Sequence, residues 1–289
     1  MVNPATRTAH GPMLLAAVED SFPVSQSITR DPLAASLLPL RLRTIAWACR
    51  VPWFRDRFIA AIERRHPGGW GGIACRKRCF DEMATAAVAA GVRAVVNLGA
   101  GFDTRAVRLP ALANLPVFEV DLPENSAEKR LWLARTFGAV PPHLTLVPVD
   151  FDRQDVGAAL AERGLDPAAP TLYLWEGVTQ YLREAGARQT MAALSRAPAG
   201  SRLVFTYVRQ DYLDGSELFG LGPFRSSRFV QELWHFGLHP DRVDAFLREY
   251  GWREQEQLGP AELHARYIAA TGRSLQVMAI ERTVIASKL

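Results

Sequence analysis

From residue 94 onward, short apolar runs alternate with longer stretches that have a helical spacing of apolar residues. Runs rich in Val, Leu and Phe predict buried strands, and the spacing between them predicts amphipathic helices. The predicted strands span 94–98, 116–121, 144–150, 171–175 and 201–208. The predicted helices span 104–112, 124–136, 155–163 and 184–196. This alternation is typical of a parallel sheet that helices cover on both faces.

The N-terminal part of the chain has no strand pattern. Residues 54–65 repeat apolar side chains with a helical period, and 81–91 form an alanine-rich segment that predicts another helix. The glycine-rich stretch at 67–72 is predicted to be a loop, because proline and glycine interrupt regular structure. We therefore expect residues 1–80 to form a helical cap or lid in front of a domain that spans 81–289.

The alternation stops after the fifth predicted strand. Residues 209–240 are rich in arginine, aromatic residues and glycine, and we interpret them as an insertion over the edge of the sheet. A helix is predicted at 240–250, and residues 252–257 and 275–287 predict two final strands. The sheet is thus expected to continue beyond the insertion.

Composition and charge narrow the function classes. The 289 residues are 48% hydrophobic, which suits one large α/β domain. The net charge of +4 comes mainly from arginines spread along the chain, so we expect no nucleic-acid partner. Three cysteines with no histidine pair at ligand spacing predict neither a disulfide framework nor a metal site. No run reaches the roughly 18 apolar residues of a membrane span, and we expect a cytoplasmic protein with no membrane partner.

The strongest local signal is VVNLGAGFDTR at 95–105. A predicted strand ends at Gly99-Ala100-Gly101, where glycine permits a sharp turn and the close approach of a ligand. By itself the pattern also fits a tight turn that packs a helix on a strand. Thr104 stands where the third glycine of a dinucleotide fingerprint is required, which argues against a nicotinamide cofactor.

Polar residues also close the next three predicted strands. Asp121 follows the glycine loop by about 20 residues, where an acid can accept hydrogen bonds from ribose hydroxyls. Glu119 shares its face of the strand, but Asp121 is nearer the strand end and is our choice. The third strand ends in Asp150-Phe151, and Glu176 follows the fourth. Each acid alone could be a helix cap or half of an ion pair, whereas one ligand along the rim would explain all of them.

Four motifs in this order, NLGAGFDTR, FEVDLPE, VDF and WEGVTQYL, resemble the leucine carboxyl methyltransferase-like family. ACRKRCFDEM resembles the family's arginine-containing helix, and SITRDPLA resembles its N-terminal cap motif. The resemblance implies a class I S-adenosylmethionine-dependent methyltransferase related to the bacterial O-methyltransferases of polyketide and similar biosynthesis. The implied fold is a Rossmann-like α/β sheet, mostly parallel with an antiparallel last strand, with a helical N-terminal cap and an insertion after strand 5.

The resemblance also implies roles in binding S-adenosylmethionine. Arg76, with Arg78 as a second candidate, would pair with the methionine carboxylate. Protein-modifying members use an N-terminal lysine there, but this chain has no lysine before Lys77, and we expect Arg30 or Arg7 to replace it. Lys77 itself stands where many bacterial members have a small polar residue. The other implied cofactor residues are Gly99, Ala100 and Gly101 at the methionine and ribose, Asp121 and Leu122 at the ribose, Asp150 and Phe151 at the adenine, and Glu176 and Gly177 by the amino group.

A small molecule is the expected methyl acceptor, through a carboxylate or a hydroxyl oxygen. A carboxylate is ionised near neutral pH, whereas an alcohol or phenol needs a base. We expect the acceptor to lie between the N-terminal helices and residues 207–240. The resemblance places Tyr181 near the acceptor, and with Tyr207 and His235 it forms our set of candidate catalytic residues. Other candidate bases in this segment are Asp211, Tyr212 and His239.

Two other functions remain compatible with the sequence. The first is methylation of a protein C-terminus, which requires a wide groove that admits a chain end. The second is a cofactor-binding protein without methyl transfer, against which the intact Arg76, Asp121 and Glu176 argue. The oligomeric state is left open between a monomer and a homodimer.

Overall fold

The computed structural model describes residues 10–289, and these residues build one sheet of eight strands. The strands are β1 (Ala94–Leu98), β2 (Val117–Asp121), β3 (Leu144–Pro148), β4 (Thr171–Trp175), β5 (Arg202–Arg209), β6 (Gly237–Leu238), β7 (Trp252–Leu258) and β8 (Glu281–Lys288). The sheet order is β3-β2-β1-β4-β5-β8-β7, with β6 beside β5. Strands β1 to β5 are parallel, and β8 is antiparallel to both β5 and β7. The predicted fold class is confirmed.

The strand order reverses between β1 and β4, which are neighbours in the sheet. In open α/β sheets, a crevice forms at such a point beyond the carboxyl ends of the strands, and ligands bind there. Strands β1, β2 and β4 are buried at every position, because both faces of the sheet are covered. Val95 and Leu172 belong to the core on one face, and Val96 and Tyr173 belong to the other core.

Helices occupy the intervals between the strands and most of the N-terminal region. They are α1 (His10–Glu19), α2 (Ala34–Leu37), α3 (Leu40–Ala48), α4 (Pro52–Arg65), α5 (Gly69–Ala89), α6 (Arg105–Arg108), α7 (Pro123–Phe137), α8 (Val156–Glu162), α9 (Glu184–Leu194), α10 (Gln210–Asp214), α11 (Gly222–Arg225), α12 (Arg228–Leu233), α13 (Val243–Arg248) and α14 (Pro260–Leu263). Helix α6 is shorter than predicted, because Pro110 favours the extended backbone found at Leu109. Within the described residues, no helix has both the length and the apolar character needed to cross a membrane.

The N-terminal helices share their core with the sheet. Met13 and Val18 of α1 are buried in the same cluster as Val95 of β1. Helix α5 runs without interruption across the predicted boundary between residues 80 and 81. The cap and the sheet domain are therefore joined by one continuous helix.

Helix α5 begins inside the glycine-rich stretch, so the predicted loop is wrong for residues 69–72. A Cβ atom at Gly71 would lie 2.1 Å from the carbonyl oxygen of Gln276. At Gly68 a Cβ atom would lie 2.5 Å from the backbone nitrogen of Met278, which donates a hydrogen bond to the Gly68 carbonyl at 2.9 Å. The glycines therefore admit a C-terminal segment against the start of the helix.

Because residues 276–278 pack against the start of α5, the last strand begins later than predicted. Strand β7 lies where it is predicted, whereas β8 begins at Glu281 and not at residue 275. The insertion after β5 folds into α10, α11, α12 and β6. The Tyr212 hydroxyl donates to the Leu221 carbonyl at 3.1 Å and holds the start of the insertion to its middle.

We expect Gly71→Ala to lower the free energy of unfolding by about 1–3 kcal/mol, because the new methyl group meets a backbone carbonyl. Gly72→Ala is the matched control in the same turn, since its Cβ would lie 3.4 Å from Met278, an ordinary contact distance. Urea unfolding of both variants measures the difference. Equal stability of the two variants would contradict the packing role of Gly71.

Candidate active site

A cavity of about 580 Å³ lies at the carboxyl ends of β1, β2, β3 and β4. Its volume is typical of a small-molecule site. The predicted cofactor residues in its lining are Arg76, Gly99, Ala100, Gly101, Asp121, Leu122, Asp150, Phe151, Glu176 and Gly177. The structure therefore brings these residues together at the predicted rim of the sheet.

One face of helix α5 forms a wall of the cavity. Its lining residues are Gly69, Gly72, Ile73, Arg76 and Lys77. Their spacing of three and four residues places them on one side of the helix. Arg78 lies outside the lining, and its Nε donates to Glu82 Oε1 at 2.7 Å on the surface. This placement does not support a cofactor role for Arg78.

The glycine loop turns its backbone amides toward β2. The amides of Gly99 and Ala100 donate to the Val120 carbonyl at 2.7 and 3.1 Å, and the Gly101 amide donates to the Asp121 carboxylate. Both glycines have positive φ angles, +69° and +48°, which L side chains rarely adopt. Since these amides already have acceptors, the loop does not offer the cradle of free amides that binds a diphosphate. This geometry suits a nucleoside cofactor without a diphosphate.

Asp121 and Asn125 form an acceptor pair on the cavity wall. Asp121 accepts hydrogen bonds from the Leu122 amide at 2.7 Å and from Asn125 Nδ2 at 2.6 Å. Burial raises the pKa of Asp121, although these hydrogen bonds oppose the shift. The buried Oδ1 of Asn125 has no hydrogen-bond partner among residues 10–289. A ribose hydroxyl supplies the donor that Asn125 Oδ1 lacks, so the site fits a nucleoside.

Glu176 is held by two arginines. Arg76 Nε lies 3.1 Å from Glu176 Oε1, and Arg105 Nη1 lies 2.7 Å from Oε2. Burial alone would raise the pKa of Glu176, but the charges of Arg105, Lys77 and Arg76 lower it to about 2. Arg76 Nη1 also pairs with Glu281 of β8 at 2.7 Å. The carboxylate at the end of β4 is therefore ionised and fixed in place.

Several residues of this site were not assigned a role from the sequence. Arg105 and Asp103 belong to the GFDTR motif, so a local signal for them was present. Asn125 lies one helical turn after Asp121, which is a weaker signal. Glu281 has no motif around it, because its partner Arg76 is 205 residues away in the chain.

The insertion supplies an aromatic wall to the cavity. Phe224, Phe229 and Trp234 line it together with Tyr181 and Gln180. The ring centroids of Phe224 and Phe229 lie 6.3 Å apart, and those of Phe224 and Trp234 lie 5.6 Å apart. The buried Trp234 Nε1 and Gln180 Oε1 have no hydrogen-bond partner within the described part of the chain. The wall thus combines aromatic faces with one unpaired donor and one unpaired acceptor.

Two predicted catalytic residues lie away from this wall. Tyr207 of β5 is fully buried, its hydroxyl donates to Gln257, and burial raises its pKa. His235 does not line the cavity, and its backbone amide donates to the Gln180 carbonyl at 2.7 Å. Other candidate bases outside the lining are Asp211, Tyr212 and His239. Of the three predicted catalytic residues only Tyr181 lines the cavity, and the positions of Tyr207 and His235 do not support either as a base.

Arg30, one of the two predicted substitutes for an N-terminal lysine, does not line the cavity. Arg30 pairs with Asp20 at 3.6 Å and is absent from the lining. Arg7 lies outside the described residues. Among residues 10–289, no cluster of His, Cys, Asp and Glu side chains is arranged to hold a metal ion.

A buried acid lies beneath the site. Glu119 of β2 is 3% exposed, and Lys129 Nζ lies 2.9 Å from its Oε2. The other oxygen, Oε1, has no hydrogen-bond partner among residues 10–289. Burial raises the pKa of Glu119 to about 7, although Lys129 opposes the shift.

We expect this acid to make stability depend on pH. A carboxyl group with a raised pKa in the folded state stabilises the protein below its unfolded pKa, and that contribution is lost as pH rises through about 7. The free energy of unfolding should therefore fall between pH 5 and pH 8 in the wild type, and Glu119→Gln should reduce this fall. Urea unfolding across this range is the measurement, and an identical pH profile for both proteins would contradict the raised pKa.

The sheet order and the strand-end site that fits a nucleoside define a class I S-adenosylmethionine-dependent methyltransferase. The model of the leucine carboxyl methyltransferase family matches residues 9–195. The chain belongs to this family.

Relatives with the same cofactor agree with this assignment. A putative S-adenosylmethionine-dependent methyltransferase of Mycobacterium marinum is 38% identical over 217 residues, which cover 70% of this chain and 69% of that protein. A similar protein of Mycolicibacterium paratuberculosis is 36% identical over 216 residues, which cover 68% of this chain and 65% of that protein. The crystal structure of a putative methyltransferase from Thermobifida fusca shares the fold, with a TM-score of 0.58, 13% identity and 94% coverage of both chains.

Proposed function

We propose that this methyltransferase transfers its methyl group to an oxygen of a small, flat natural-product acceptor. The observation that supports the proposal is the aromatic wall of Phe224, Phe229 and Trp234. Aromatic faces bind flat ligands by stacking and by burial of apolar surface. Helix α1 lines the same cavity through Gly11 and Met13, which favours an acceptor enclosed between the cap and the insertion.

S-adenosylmethionine supplies an electrophilic methyl group on its sulfonium. The chain has to hold the acceptor oxygen about 3 Å from the methyl carbon, in line with the bond to sulfur, and to exclude water. In this proposal Asp121 and Asn125 bind the ribose, and the aromatic wall sets the plane of the acceptor. Trp234 Nε1 donates to an acceptor oxygen, and Gln180 Oε1 accepts a hydrogen bond from a hydroxyl group.

The same arrangement favours an acceptor that ionises unaided. Of the three candidate catalytic residues only Tyr181 lines the cavity, so neither Tyr207 nor His235 can remove a proton from a bound alcohol directly. A carboxylate is ionised near neutral pH, and so is a sufficiently acidic phenol. On the resemblance to the bacterial branch of the family, we extend the proposal to a biosynthetic enzyme of the cytoplasm. Its partner in this proposal is the small-molecule acceptor, and it binds neither nucleic acid nor a membrane.

Methylation of a protein C-terminus is the second candidate, since the matching family model is described by leucine carboxyl methylation. Such a substrate must extend out of the cavity, past the insertion. A flat small molecule instead uses the whole aromatic wall, and we favour it for that reason. The third candidate, cofactor binding without transfer, leaves the aromatic wall without a role.

Transfer of isotopically labelled methyl groups tests the proposal. The purified protein is incubated with labelled S-adenosylmethionine and a panel of hydroxylated aromatic carboxylic acids, and in parallel with peptides that end in leucine. We expect label in the aromatic acids, with NMR locating the new methyl group on oxygen. Transfer to peptides alone, or to carbon or nitrogen, would contradict the proposal.

We expect Trp234→Phe to raise the KM of the acceptor about threefold to tenfold, because the ring is retained while a hydrogen-bond donor is lost. The dissociation constant of S-adenosylmethionine should stay within about twofold, since Trp234 belongs to the acceptor wall. Trp47→Phe is the control, because this tryptophan is 69% exposed on the surface. An equal increase of the acceptor KM in both variants would contradict a role of Trp234 in acceptor binding.

A further inference from the structure

We infer that Lys77 is the cation that binds the carboxylate of the cofactor's methionine portion. This inference rests on the cofactor of the proposed function and is independent of the acceptor. It differs from the expectation for Arg76, which the family resemblance assigned to that carboxylate.

Lys77 is a largely buried cation whose ammonium group contacts no carboxylate of the described residues. It is 9% exposed, and it lines the cavity from the same face of α5 as Arg76. Its backbone carbonyl accepts a hydrogen bond from Arg105 Nη2 at 3.2 Å. Among residues 10–289, its ammonium group has no hydrogen bond and no ion pair within 4.0 Å. Its charge acts at longer range on Glu176 and Asp103 and helps to lower the pKa of both. No carboxylate of the described residues contacts the ammonium itself, so it is available to an anionic ligand in the cavity.

The other cations around the cavity are already paired. Arg76 faces two carboxylates, Glu176 at 3.1 Å and Glu281 at 2.7 Å. Its single charge is therefore already shared by two carboxylates before a ligand binds. Arg105 is likewise paired with Asp81 and Glu176, both at 2.7 Å. Lys77 alone among these three cations has no counter-ion in contact.

Lys77 also lies at the appropriate end of the cavity. The lining residues Phe151 and Asp121 follow β3 and β2, whereas Glu176 follows β4. These strands are separated by β1, so the rim from β3 to β4 covers three strand spacings, about 14 Å. A ligand with its adenine at Phe151 and its ribose at Asp121 extends its amino-acid portion toward β4. Arg76 contacts Glu176 there, and Lys77 is the next residue of the same helix.

Calorimetric titration with two ligands tests the inference without measuring catalysis. S-adenosylmethionine carries the carboxylate, and decarboxylated S-adenosylmethionine lacks only that group. We expect the wild type to prefer the first ligand on the order of tenfold to hundredfold, as for a hydrogen bond between charged groups. Lys77→Met should reduce the preference to about threefold or less, and Lys77→Arg should retain most of it. The ratio of the two affinities isolates the coupling between Lys77 and the carboxylate.

Arg78→Met is the matched control, because Arg78 is the adjacent cation of the same helix and lies outside the lining. Its ligand preference should equal that of the wild type. Lys77→Gln is a second variant that retains a polar side chain, and thermal unfolding verifies that each variant is folded. A wild-type preference that persists in both Lys77→Met and Lys77→Gln would overturn the inference, and so would equal losses for the two ligands. If the wild type bound neither ligand, the cofactor assignment would fail as well.

Discussion

The buried arginine at the start of α6 holds the functional end of the sheet together. Arg105 is 2% exposed and pairs with Asp81 of α5 and with Glu176 after β4, each at 2.7 Å. It also pairs with Asp103 in the loop after β1, where this charge helps to keep the pKa of Asp103 well below its usual range, against the effect of burial. Removing one partner from such a buried network typically costs about 3–5 kcal/mol, because the remaining charges lose their compensation. This cost is a large part of the free energy of unfolding of a typical domain, which is about 5–15 kcal/mol. The glycine loop, α5 and the end of β4 are therefore positioned as a unit.

This constraint determines what the cavity can bind. Arg76 extends the network to Glu281, so that β8 is tied to α5 across the sheet. The amides of Gly99 and Ala100 are tied to β2 in the same way. With its arginines and loop amides already paired, the cavity can recognise a ligand only through groups that have no partner. Those groups include the amide oxygens of Asn125 and Gln180, the indole nitrogen of Trp234 and the ammonium of Lys77. The first and the last of these suit a ribose and a carboxylate.

The sequence predicted the parts of this arrangement that depend on neighbouring residues. The strand at 94–98 and the acid at Asp121 follow from an apolar run and from its position after a glycine loop. The pairing of Arg76 with Glu281 could not be predicted, because no local pattern connects residues 205 positions apart. The glycine stretch at 67–72 was interpreted as a loop for a related reason. Its glycines make room for the backbone at Gln276, and a sequence does not show which distant segment lies against it.

The two halves of the cavity also have different relations to the family. The match to the family model ends at residue 195, so it includes the glycine loop and the residues at the ends of β2, β3 and β4. The aromatic wall of Phe224, Phe229 and Trp234 lies beyond it, in the insertion after β5. The family match therefore covers the residues at the strand ends, whereas the wall that we propose for the acceptor lies outside the matched residues. Loops on a rigid scaffold can change without disturbing the buried core beneath them. Our proposal for the acceptor therefore rests on the aromatic wall itself and not on the substrates of relatives.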